Sequence, residues 1–230
     1  MAEDLTSKQA IEAAAFRLFI EQGLDATSYT AIAEASGCGR PLVQYHFPKK
    51  EDLAVDFVEQ CLLAVAEVYS GSDYDVEDHT VRVLRMGQLY YELILNGELR
   101  AFMADALTNR NITSRIIRLN AEWSLPYTDD DAADPGLVEA SIKATGGIYE
   151  LLHASLSEGL ACDAADLAVQ NVAAYLVFTQ DLTYADAVER LRSQTIDAEA
   201  AAELASAAAS KTLEEGRAGR RALGGRGGHA

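Results

Sequence analysis

Apolar residues recur at helical spacing along nearly the whole chain, and no apolar–polar alternation survives a helical alternative. The pattern predicts an all-α protein. Ile11, Ala14, Ala15, Leu18 and Phe19 form one apolar face of a first helix. Thr6 and Gln9 fit a capping box at its start, and Gly23 stops it. A short second helix follows, with Ser28 as N-cap, Ile32 and Ala33 inward, and Thr30, Ala31 and Glu34 outward. Gly37 supplies a tight turn, with Cys38 packed in it. A third helix over about Gly39 to His46 has Pro41 in its first turn and Leu42, Val43 and Phe47 on its inner side.

Beyond this unit the apolar stripes become longer. The spacing predicts helices over about 50–69, 80–95, 98–109, 112–123, 137–160, 164–182 and 185–196, and an alanine-rich helix from a cap at Asp197 to about Leu213. An acidic polar loop covers 70–79. The Pro- and Asp-rich stretch 125–136 is the clearest linker, and residues 216–230 read as a flexible Gly/Arg tail. These shifts divide the chain into a three-helix N-terminal domain at 1–50, a larger helical domain at 51–215, and the tail.

Two short helices around a glycine turn form a helix-turn-helix, which lays its second helix in the DNA major groove. Arg40, Pro41, Gln44, Tyr45 and His46 remain on the outer side of the third helix once the inward residues are assigned. Arg reads guanine O6 and N7, and Gln reads adenine or bonds a phosphate, whereas Tyr and His more often position the helix on phosphates. Ser28 and Thr30 open the second helix toward the same surface. Lys49 and Lys50, at the start of the fourth helix, are placed to grip a phosphate together with that helix's free amides.

Gly23, Ile32-Ala33, Ala35-x-Gly37, His46-Phe47-Pro48 and Lys50-Glu51-x-Leu53 together resemble the N-terminal domain of the TetR (tetracycline repressor-like) transcription regulators. The motifs span the first quarter of the chain. Gln44 stands where the family often has Tyr, and Gly39 stands where it has a small hydroxyl N-cap. The resemblance implies a homodimer that binds double-stranded palindromic operator DNA and is released by a small-molecule effector. It also implies that the helices within about 137–182 form the dimer interface, with Ala144, Gly146, Gly147 and Ala154 allowing close approach. A second reading is a helical small-molecule- or protein-binding module with a vestigial reader. The departure at Gln44 and the overall charge favour it.

That charge is −17 over 230 residues, which excludes a generic nucleic-acid coat. A specific regulator needs only a local basic surface, here Arg40, Lys49 and Lys50, with Lys8 and Arg17 from the first helix. Cys38, Cys61 and Cys162 are few and widely spaced, so they suggest a reducing, cytoplasmic setting and no zinc site. Neither a signal peptide nor a membrane-spanning run is evident.

Glu150 and His153 have the Glu-x-x-His spacing of a di-metal helix, but a second such motif is missing. With no phosphate loop and no nucleophile elbow, neither an enzyme nor a cofactor is expected. Large or adaptable side chains on several helices instead suggest a ligand pocket: Met86, Tyr90, Tyr91, Phe102, Met103, Trp123, Tyr149 and His153. As a set they point to an aromatic or lipophilic effector.

Overall fold

The computed structural model describes residues 2–127 and 134–215. Among these residues every regular element is helical: α1 (Ala2–Gln22), α2 (Tyr29–Ser36), α3 (Arg40–His46), α4 (Lys50–Ser70), α5 (His79–Leu95), α6 (Arg100–Ala106), α7 (Arg110–Ser124), α8 (Pro135–Glu158), α9 (Ala164–Thr179), α10 (Tyr184–Arg192) and α11 (Ala198–Glu215). A single 3-10 turn, Leu125–Tyr127, begins the predicted linker. Residues 128–133 of that linker and the predicted tail at 216–230 lie outside the described residues. No helix among the described residues is long and apolar enough to cross a membrane.

Local chemistry explains most helix starts. Ser28, Asp78, Asn109, Asp134, Asp163 and Thr183 each cap a helix by accepting from a backbone amide in its first turn. The capping box expected at Thr6 is not the start of α1, which already begins at Ala2 and carries Thr6 inside it. The segment expected to be one helix over 98–109 forms only the short α6. Thr108 and Asn109 leave it, and the Asn109 side chain caps α7 instead.

Helices α1 to α3 form the reader, and α4 runs from it into the larger bundle. There α4 lies along α11 and against α7, while α5 and α8 pack on α9. One hydrophobic core runs through both parts. Its seam is aromatic: Phe16 and Phe19 of α1, Phe57 of α4 and Phe102 of α6 are all buried, with ring centroids 4.8–5.6 Å apart. Cys61 of α4 lies deep in this core. Its thiol is pushed up to about 12 by burial, which a hydrogen bond with Thr212 offsets only in part. It is therefore an inert packing residue.

The loop between α1 and α2 is docked on α6. Gly23 adopts φ +83°, and a Cβ there would lie 2.6 Å from Asp105 Oδ2. The same carboxylate oxygen accepts from the Asp25 amide at 2.9 Å. Glycine is required at position 23 on both counts: the left-handed backbone and the close approach of α6.

Candidate nucleic-acid interface and effector cavity

The inner face of the reader is fixed by Ile32, Val43 and Phe47, all buried. The Tyr29 hydroxyl donates to the Phe47 carbonyl at 2.9 Å and ties α2 to the end of α3. The Lys8 ammonium sits 5.3 Å over the Phe47 ring and braces α1 against the same point. Between the two helices Gly37, at φ +70°, makes the left-handed turn that lets α3 leave α2 sharply.

This bracing leaves one side of α3 outward. Arg40 and Gln44 form one i,i+4 row and Pro41 and Tyr45 the adjacent one, all exposed. Tyr45 is 73% exposed, the largest value among the exposed large apolar side chains. His46 is half-buried, with its ring 5.3 Å from that of Tyr45. Thr30 and Lys49 are exposed on the flanks. Ser28 is exposed too, but its hydroxyl oxygen already accepts from the Ala31 amide at 3.1 Å as the cap of α2.

Lys50 is placed differently from the phosphate grip read in the sequence. Its ammonium donates to the carbonyls of Leu24 at 2.8 Å and Thr27 at 3.2 Å, so it staples the α1–α2 loop to α4. Two of its three donors are thereby committed, and Lys49 is the more available cation at this end of α4. Next to it Asp52 pairs with Arg115 of α7 at 2.8 Å, a direct link between the reader's edge and the bundle.

A cleft opens in the bundle between α5, α7, α8 and α9. Its empty space, about 860 Å³, includes open solvent at the mouth. Val83 and Gly87 of α5, with Ala168, Val172 and Leu176 of α9, make its apolar walls. Trp123 and Asn120 come from α7, Ser141 and Thr145 from α8, and Tyr91 and Asn171 from α5 and α9. Behind the wall, buried polar groups are linked. The Asn120 amide donates to the Tyr149 hydroxyl at 2.8 Å, which lies 3.1 Å from the Tyr90 hydroxyl. The Asn171 amide donates to the Tyr91 hydroxyl at 2.6 Å. Burial raises the pKa of Tyr90, Tyr91 and Tyr149, so all three are neutral phenols at ordinary pH.

Residues 11–56 match the family model described as bacterial regulatory proteins, tetR family. Over this segment the chain is similar to the DNA-binding domain of that family. A likeness in fold extends to the bundle. The TetR-like fold is shared with RolR in its complex with resorcinol, at 18% identity and a TM-score of 0.55, covering 82% of this chain and 94% of that one. A tetR-family transcriptional regulator from Streptomyces coelicolor aligns at 20% identity with a TM-score of 0.49, over 85% of this chain and 95% of the other.

The cleft brings together only part of the set read in the sequence. Of the residues singled out there, Trp123 and Tyr91 line it. Met86, Tyr90, Phe102, Met103 and Tyr149 are fully buried core, and His153 is half-buried on α8 away from the lining. Tyr90 and Tyr149 act one layer back, by holding Asn120. The cleft also gathers Asn120, Asn171, Gly87 and Thr145, which the sequence reading did not single out and which are small or polar positions on otherwise apolar helix faces. That signal was available, since a polar residue on a buried stripe needs a partner. Glu150 is exposed and does not join His153 in a ligand set, and no group of three metal-ligating side chains occurs among the described residues.

Proposed function

We propose that the chain is a homodimeric transcriptional repressor whose α3 reads a palindromic operator and whose cleft takes a small-molecule effector that releases the DNA. The observation that carries this reading is the outward row of Arg40, Gln44 and Tyr45 on a short helix whose other face is locked into the core. Arg40 and Gln44 would meet base edges or phosphates, with Pro41 in contact distance. Tyr45, His46, Thr30, Ser28 and Lys49 would position the helix, and Lys50 would hold the loop that carries it.

Two-fold reading needs a symmetric pair, and α8 and α9 offer the surface for it. Phe178 is 54% exposed and Val177 is exposed beside it, while a Cβ at Gly146 or Gly147 would meet nothing within 4 Å. An effector acts by binding the DNA-incompetent arrangement more tightly. Helix α7 supports such coupling, since it carries Asn120 and Trp123 at the cleft and Arg115 on Asp52 at the reader. RolR is seen with resorcinol, which favours a small ring-shaped effector for this fold.

The test is a mobility shift on the chain's own upstream promoter and on duplexes selected from a random pool. Wild type is expected to shift a two-fold-symmetric sequence, and Arg40→Ala to bind it about 5–150-fold more weakly. Equal binding by the variant on every selected duplex would transfer the case to the vestigial-reader alternative. Sedimentation equilibrium is expected to return twice the chain mass for wild type and a weakened dimer for Phe178→Glu. A wild-type monomer would sink the symmetric reading.

A further inference from the structure

We infer that the effector is an uncharged molecule with a flat apolar body and at least two oxygen acceptors, received by the Trp123 indole and the Tyr91 hydroxyl. This deepens the effector reading above and rests on it. The first observation concerns charge. The described lining residues include no Asp, Glu, Lys, Arg or His. A carboxylate or ammonium entering the cleft would lose water without meeting a counter-charge. Of the two tyrosines on the wall, Tyr91 supplies no charge either, because burial keeps it protonated.

The second observation concerns hydrogen bonds. The Trp123 Nε1–H is buried and has no hydrogen-bond partner among the described residues. An indole nitrogen only donates, so it calls for an acceptor. The Tyr91 hydroxyl already accepts from the Asn171 amide, which directs its own proton elsewhere, and no acceptor for it is found among the described residues. Both residues line the same cleft. Buried donors left without acceptors are costly, and a bound oxygen relieves each. Asn120 adds the opposite polarity: its amide nitrogen donates to Tyr149, and its carbonyl oxygen is left to accept from a hydroxyl or amide of the ligand.

The third observation concerns shape. Gly87 of α5 faces Ala168 of α9, and a Cβ at Gly87 would lie 3.9 Å from both the Ala168 Cβ and the Tyr91 ring. The small residues let α5 and α9 pack closely here, so no side chain of this pair stands out from the wall of the cleft. Together with the Trp123 ring, this smooth wall suits a flat body better than a branched one.

Trp123 is the only tryptophan of the chain, so its emission reports on the cleft directly. The experiment titrates the full-length protein with matched aromatic pairs: the methyl esters of benzoic, hydroxybenzoic and phenylacetic acids and the primary amides of the hydroxybenzoic acids, each beside its own carboxylate. Neutral members are expected to change Trp123 emission in the micromolar to millimolar range, and their carboxylates at least about 10-fold less tightly. Gly87→Leu and Val83→Phe are two independent ways to fill the cleft, and whichever keeps the wild-type circular dichroism and melting profile serves as the control. Each is expected to abolish the response. Trp123→Phe, followed by ligand-observed NMR, is expected to weaken the neutral binders about 3–10-fold. The inference is overturned if the carboxylates bind the cleft as tightly as their neutral partners. It is equally overturned if no neutral member binds at millimolar concentration, or if the response persists in the filled variants. Operator binding by the ligand-free protein is measured separately by mobility shift. A negative there would remove the regulator reading, whereas a negative in the titration removes only the ligand class.

Discussion

Phe57→Ala is expected to destabilise the protein by about 3–5 kcal/mol, measured as a shift in urea midpoint at constant slope. The side chain is 0% exposed, and its ring meets Phe16 at 5.1 Å, Phe19 at 5.6 Å and Phe102 at 4.8 Å. Truncation opens a cavity where three helices converge, and none can close it without moving the others. The location matters as much as the size. Phe16 and Phe19 belong to the reader, Phe102 to α6, and Phe57 to the helix that joins reader and bundle. The lost contacts are those that hold the two parts at a defined angle, so operator affinity is expected to fall as well at temperatures where the variant is still folded. A loss under about 1.5 kcal/mol would mean that the seam is less tightly packed than the centroid distances indicate.

The second large effect falls at Gln88. This residue is 2% exposed, and its amide reaches across 108 positions of sequence to the backbone of Ile196, with Nε2 donating to the carbonyl at 2.8 Å and Oε1 accepting from the amide at 2.9 Å. The pair pins the α10–α11 connection to α5, as a strand partner would. Gln88→Leu keeps the volume but leaves a buried donor and a buried acceptor unpaired, and an expected cost of about 2–5 kcal/mol follows. Gln88→Ala adds a cavity to the same loss. Hydrogen exchange gives a sharper reading than a melt, since the Ile196 amide should lose its protection in both variants while amides of α2 and α3 keep theirs. Unchanged protection at Ile196 would show that water replaces the side chain at little cost. Arg85 helps hold the same connection, with Nε donating to the Gln194 carbonyl at 2.8 Å.

The reader was legible because its signals are local. Gly23, Ser28, Gly37 and Pro41 act through backbone conformation and capping within a few residues, so the sequence alone places the two helices and the turn. Phase also decides which of Arg40, Gln44 and Tyr45 face outward, because Val43 and Phe47 have to face inward. The all-helical class was legible for the same reason: the 3.6-residue period is written into every long segment.

What required the tertiary structure is which long-range partner each side chain meets. Lys50 reads as a surface cation from its neighbours in sequence. Only the folded loop brings the Leu24 and Thr27 carbonyls to its ammonium. On α5, Met86 and Tyr90 lie on one stripe and Val83, Gly87 and Tyr91 on the next, yet the sequence treats both stripes as apolar. The rotation of α5 against α9 sends the first into the core and opens the second to the cleft. Helical periodicity determines that a face is buried but not what buries it. A neighbouring helix and an empty cleft demand the same hydrophobic residues, and only packing in three dimensions tells them apart.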